Sequence, residues 1–263
     1  MVVEKGKKII NKYTMISILS ILCFLLIWQI AVVTGVLSEK ILPAPSKVFS
    51  TLFYKLGNES PDGSLLQINI LVSLKVACSG LFLAIFIGVP LGWLMGWYKP
   101  VNRFVRPIFE LIRPIPPIAW IPLTILWVGI GLQAKAMIIF FASFVPCVIN
   151  ATAGIKSTNQ TLINVAKTYG ATNFTIFRKI GIPSSLPMTF AGIRIALNSA
   201  WSTLVAAELL AANAGLGYMI SMGRQFGRVD IIVLGMFTIG ILGFIFSWVF
   251  TKLEHIFVKW RTV

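Results

Sequence analysis

Six stretches of this chain run for about the thickness of a bilayer with no charge, or with one: Tyr13–Leu37, Val76–Tyr98, Pro114–Ala134, Ala136–Ile155, Ile195–Gly223 (interrupted by Glu208) and Ile231–Thr251. A helix needs about 20 apolar residues to cross the hydrocarbon core. Lipid cannot satisfy a bare backbone, so such runs must be helical. The composition agrees, at 57% hydrophobic and 12% charged residues. Soluble domains run at roughly 45–50% and about 25%. The chain therefore reads as all-α and integral to a membrane, one domain over residues 1–263. Its predicted spans are 14–37, 68–98, 105–129, 134–155, 187–207 and 231–251. Disorder is excluded by the hydrophobicity. A disulfide scaffold is excluded because Cys23, Cys78 and Cys147 are scattered through apolar stretches. The first run is too long for a cleavable leader and has no small-residue cleavage site after it, so it reads as a retained helix.

Basic residues outnumber acidic ones 23 to 8, for a net charge of +15. They stand between the apolar runs, which suits topology signals and anionic lipid rather than nucleic acid. With both termini in the cytoplasm, fourteen of them face inward, Lys5, Lys7, Lys8, Lys12, Lys259 and Arg261 included. Six face outward, Lys55 and Lys135 included. That asymmetry predicts cytoplasmic termini.

Two segments depart from plain spans. Residues 42–56 follow Pro43 and Pro45 and space Val48, Phe49, Leu52, Phe53 and Leu56 as an amphipathic helix on the outer surface, with Ser46 as a candidate cap. In Glu208–Gly223, Gly215 and Gly217 break the run, which predicts a re-entrant turn or short helix.

The longest predicted cytoplasmic loop, 156–187, is not a polar linker. Leu162, Val165, Ala166 and Tyr169 have helical spacing over Thr161–Tyr169, and Gly170 stops that helix. Asn173 is placed to cap a second helix, Asn173–Ile180, with Phe174, Phe177 and Ile180 as its stripe; Pro183 and Pro187 close the loop. An apolar face here either meets a partner or packs on the chain's own helices.

These residues carry a resemblance. Asn164-Val165-Ala166, Gly170 and Ile180-Gly-Ile-Pro183 resemble the EAA loop of ABC importer permeases, E-A-A, three residues, G, nine residues, I-x-L-P. The spacing matches throughout, while Asn164 replaces Glu, Val165 replaces Ala and Ile182 replaces Leu. LPAPSKVF (Leu42–Phe49), LIRPIPPIAWIPL (Leu111–Leu123) and AAELLAANAGLGYMI (Ala206–Ile220) are similar to the nitrate, alkanesulfonate and taurine subfamily. The resemblance implies a type I importer permease of six helices in a bacterial inner membrane. It implies a homodimer, two cytoplasmic ATPase subunits that hold ATP and Mg, and an extracytoplasmic solute-binding protein. It also makes Asn164, Val165, Ala166, Lys167, Tyr169, Gly170, Ala171, Ile180 and Pro183 the ATPase-coupling residues.

The chain has no G-x-x-x-x-G-K-[ST] to cradle phosphates. Its single histidine, His255, and its dispersed cysteines offer no metal or nucleophile pair. No cofactor and no catalytic set are therefore expected on this chain. For the pathway, Pro114, Pro116, Pro117 and Pro122 force a kink or unwinding beside Trp120, as a gate or as a static break. Glu110 and Arg113, three apart, can pair. Asn198, Ser199, Trp201, Ser202 and Thr203 either line a polar path for an oxyanion or pack helices. Glu208 in an apolar run is a site candidate, for solute or for a cap or pair within a dimer. The rival class is an ion-coupled secondary transporter, which would favour buried acids and broken repeats; Glu208 is the one acid in a long apolar run.

Overall fold

A computed structural model describes the backbone of residues 2–211 and 213–257. The side chains of residues 2–13, 210, 211, 255 and 257 lie outside that description, so Lys5, Lys7, Lys8, Lys12, His255, Lys259 and Arg261 are outside the described residues. Regular structure among the described residues is helical: α1 (Val2–Val33), α2 (Pro45–Gly57), α3 (Leu66–Trp97), α4 (Lys99–Ile112), a 3-10 turn (Pro117–Trp120), α5 (Ile121–Val128), α6 (Leu132–Lys156), α7 (Gln160–Thr168), α8 (Asn173–Ile176), a π turn (Phe177–Gly181), α9 (Ile182–Ala211), α10 (Leu216–Gln225) and α11 (Val229–Phe257). Five helices are long and apolar enough to cross a membrane, and α4 with Pro117–Val128 makes a sixth if counted as one bent span.

The chain divides into two compact units, one of Met1–Leu66 with Met219–Phe237, the other of Gln67–Tyr218 with Thr238–Val263. In the first, α1 leaves Met15, Phe24 and Ile27 more than 60% exposed, a surface that lipid covers and water would penalise. The start of α2 differs from the expected Ser46 cap. Ala44 is the N-cap residue, and Gln29 of α1 reaches over, its Oε1 accepting the Ser46 N–H at 3.1 Å. The stripe on α2 also divides. Val48 and Thr51 are buried, whereas Phe49 and Phe53 stay exposed and meet edge to face at 5.0 Å. Lys55, counted among the outward basic residues, is fully buried on Asp62 at 2.5 Å and the carbonyl of Glu59 at 3.0 Å. A buried ammonium survives only with such partners.

In the second unit, α3 packs on α6 along glycines. Gly88, Gly92 and Gly96 recur every fourth residue and put α3 backbone against α6. A Cβ on Gly92 would lie 2.7 Å from Ala151 Cβ and from the Val148 carbonyl. Small residues allow this approach where no water drives helices together. Thr152 Oγ1 uses it to donate to the Gly92 carbonyl at 3.0 Å. Val76, Ile139, Cys147, Ala151, Leu197 and Leu204 form the buried core, with α9 as its third wall. Gly92→Leu is expected to cost about 3 kcal/mol or more, the top of the usual overpacking range. The yield of monodisperse protein after detergent extraction should collapse; a wild-type yield and melting temperature would refute the seam.

Three expected spans are corrected. The first helix ends at Val33, short of residue 37, where Gly35 turns with φ 78°. The span 105–129 is two helices bent by 87°. Pro116, followed by Pro117, sits at ψ 137°, outside the α region, so the helix breaks between Arg113 and the 3-10 turn. The span 187–207 starts earlier, because α8, the π turn and α9 run on without a break, and Pro183 and Pro187 lie inside this stretch instead of closing a loop. The widened π turn ends at Gly181, two residues before Pro183, whose missing N–H would otherwise interrupt the i→i−4 ladder.

Candidate coupling surface and translocation cavity

Between α6 and α9 the chain builds a knob. Asn159 caps α7, its Oδ1 accepting the Thr161 N–H at 2.8 Å. The helix stops in a Schellman turn. Gly170, at φ 76°, donates to the Lys167 carbonyl at 2.9 Å, and Ala171 donates to the Ala166 carbonyl at 3.0 Å. Thr172, not Asn173, caps α8, its hydroxyl accepting the Thr175 N–H at 3.3 Å. Asn173 instead takes the Trp97 indole N–H at 3.1 Å. The expected stripe of Phe174, Phe177 and Ile180 splits as well. Phe177 is buried against Trp97 and Tyr98, with ring centroids 5.6 Å away, whereas Phe174 is exposed and Ile180 half-buried. One side of the knob is thus anchored on the end of α3. The other leaves Leu162 and Val165 at 50% and Tyr169 at 87% exposure. Asn164, where the motif has Glu, spends its Oδ1 on Gln160 Nε2 at 3.1 Å, inside α7.

The second group of residues surrounds a cavity of about 560 Å3. Arg113, Pro117, Asn198, Ser199, Ser202 and Thr203 share its lining. Ile115 and Ile195, with Phe141, Ala142, Val145 and Pro146 of α6, complete the wall; no charge pattern marked them in the sequence. A guanidinium that shares a cavity with an amide and hydroxyls can take an oxyanion through charge and directed hydrogen bonds. A smaller cavity of about 240 Å3 lies at the α6 C-terminus, lined by Glu110, Arg113, Arg106 and Lys156 among others. Glu110 and Arg113 do pair, Oε2 to Nε at 3.1 Å.

Other expected pathway residues lie elsewhere. Trp120 stacks at 4.4 Å on Phe141, a residue of that wall. Pro114 and Pro116 form the break itself. Trp201 turns to α11, its Nε1 donating to the Ile239 carbonyl at 3.1 Å and its ring packing on Phe246. Glu208 does not line the polar cavity; it is 1% exposed. Its carboxylate accepts from Ser73 Oγ at 2.7 and 2.9 Å and from the Gly217 N–H at 2.9 Å. Ser73 Oγ accepts the Leu216 N–H, and Asn69 Oδ1 the Gly215 N–H, both at 2.9 Å. Three successive amides at the start of α10, groups that a helix leaves unpaired, are thereby caught. Lys135, also buried, adds an opposing charge within Coulombic reach. Asn69 and Ser73 were not read as functional. Their four-residue spacing on α3 is the only local sign that they share a face.

Residues 88–261 match the family described as the binding-protein-dependent transport system inner membrane component. The chain is 33% identical over 252 residues to the taurine transport system permease protein of Escherichia coli, covering 96% of this chain and 92% of the relative. It is 33% identical to the bicarbonate transport system permease protein of a Synechocystis strain, over 86% of this chain and 82% of the relative. In fold it resembles the inward-facing MetNI methionine ABC transporter, with a TM-score of 0.61 and 24% identity over 74% of this chain and 95% of that one.

Proposed function

The chain belongs to the family of binding-protein-dependent transport inner membrane components, and as an ABC importer permease of that family we propose that it passes a small oxyanion, of the sulfonate, taurine, nitrate or bicarbonate kind, from an extracytoplasmic binding protein to the cytoplasm. In this reading two copies form a homodimer in a bacterial inner membrane, with termini and knob in the cytoplasm, as the charge asymmetry suggests. Two partner ATPase subunits, carrying ATP and Mg, grip Leu162, Val165, Lys167 and Tyr169. Asn164, Ala166, Gly170, Ala171, Ile180 and Pro183 hold that surface in shape. Closing of the ATPases moves the knob, and α9, continuous with α8, carries the motion to Asn198, Ser199 and Ser202. An ion-coupled mechanism finds less support, because the carboxylate it would use, Glu208, is committed to the α10 turn.

The observation that carries the substrate class is Arg113 in one cavity with Asn198, Ser199 and Ser202. Losing a charge-assisted hydrogen bond costs about 1.5–3 kcal/mol, or roughly ten- to hundredfold. Arg113→Gln should lower oxyanion uptake by that factor while the complex with the ATPase still forms. Arg113→Lys should keep part of it, since the charge stays and the planar fork is lost. Unchanged uptake of all four anions by Arg113→Gln, measured in proteoliposomes, would remove this reading.

A further inference from the structure

Among the residues lining the two cavities, Arg113 is shared by both. On one side it lines the larger cavity together with the amide and hydroxyls of α9. On the other its Nε stands 3.1 Å from Glu110 Oε2, and Arg106 Nε stands 3.7 Å from Glu110 Oε1. Lys156 lines that same smaller cavity.

Resting on the oxyanion reading above, we propose that Glu110 is a displaceable internal anion. It holds Arg113 while the polar cavity is empty, yields it to an arriving solute, and retakes it as the solute leaves through the smaller cavity past Arg106 and Lys156. Three features make the carboxylate a weak competitor. Glu110 is 39% and Arg113 46% exposed, so their attraction is screened. The nearest approach of the pair, 3.1 Å, is at Nε, on the side of the guanidinium. A sulfonate or bicarbonate can present two oxygens to the guanidinium fork, with Asn198 and Ser199 supplying neutral donors from the same cavity lining; the Ser202 hydroxyl donates to the Asn198 carbonyl at 3.0 Å. The same carboxylate sets the exit. Without it Arg113, Arg106 and Lys156 form an uncompensated cationic cluster that retains an anion. Binding energy spent on a bound state that must next be left slows turnover.

The test compares Glu110→Gln and Glu110→Asp in the full transporter, permease with its ATPase and binding protein. Two quantities are read: titration of taurine, ethanesulfonate, nitrate and bicarbonate into the purified permease–ATPase complex, and ATP-driven uptake turnover in proteoliposomes. Glu110→Gln should bind the transported anion about fivefold more tightly and turn over roughly tenfold more slowly, an opposed pair of changes that loss of a merely structural ion pair would not give. Glu110→Asp should restore both, since the charge remains. If the wild type takes up an oxyanion but Glu110→Gln binds it no more tightly than wild type, or Glu110→Asp fails to rescue, the displaceable anion is overturned and the oxyanion reading stands. If the wild type takes up none of the four anions, both fall.

Discussion

Gly170→Val is expected to leave the membrane helices inserted and to abolish uptake. At φ 76° the residue sits in the left-handed region, and no atom lies within 4 Å of where its Cβ would be. The penalty is therefore conformational and not steric crowding. A β-branched residue is an outlier there, at a cost on the order of 1–2 kcal/mol. That is enough to make the turn relax, because only two hydrogen bonds, to Lys167 and Ala166, define it. Relaxation would re-aim Tyr169, the most exposed large apolar side chain of the knob at 87%, together with Val165. The ATPase would then meet the wrong surface. Gly170→Ala should be milder. Co-purification of the ATPase with each variant, beside an uptake assay, decides the matter; normal association and transport by Gly170→Val would show that this turn does not set the coupling surface.

Glu208→Leu is expected to be more damaging still, through folding. It strips the acceptor from the Ser73 hydroxyl and the Gly217 N–H and leaves Lys135 buried without its opposing charge. Removing one partner of a buried charged set costs about 3–5 kcal/mol, a large share of a typical protein's stability. Glu208→Gln keeps one oxygen to accept and should lose less. The α10 turn has no slack for a substitute arrangement, because a Cβ on Gly217 would lie 2.7 Å from Glu208 Cβ. Extraction yield and melting temperature of the variants measure the effect; Glu208→Leu with wild-type stability would mean that the carboxylate is not what holds the turn.

The long helices were legible because lipid selects composition directly: a run such as Ile231–Thr251 has few other places to go. The Gly170 stop was legible for an equally local reason. What escaped reading depended on distant partners. Glu208 read as a solute contact or as a cap or pair within a dimer, and choosing the anchor role needs Ser73, 135 residues away. That Lys55, counted only for its side of the membrane, is buried escaped notice because its partner, Asp62, leaves no pattern in a helical repeat. Pro183 and Pro187 were read as the end of a loop, since the π turn that lets a helix run through Pro183 has no sequence signature of its own. The cavity was half visible. The amide and hydroxyls of α9 stood out in an apolar run, as did Arg113 beside its prolines. That α4's end and α9 face one space follows from the 87° bend, whose angle proline counting does not supply.

The central claim is that this chain moves an oxyanion at the expense of ATP hydrolysed by a partner. Its most direct test is uptake into proteoliposomes holding the permease with its ATPase, with binding protein outside and proton or sodium gradients imposed or collapsed at will. Uptake should require ATP within reach of the ATPase and the loaded binding protein, and should persist when ionophores abolish both gradients. Uptake by the permease without the ATPase, rising and falling with an imposed ion gradient, would contradict it.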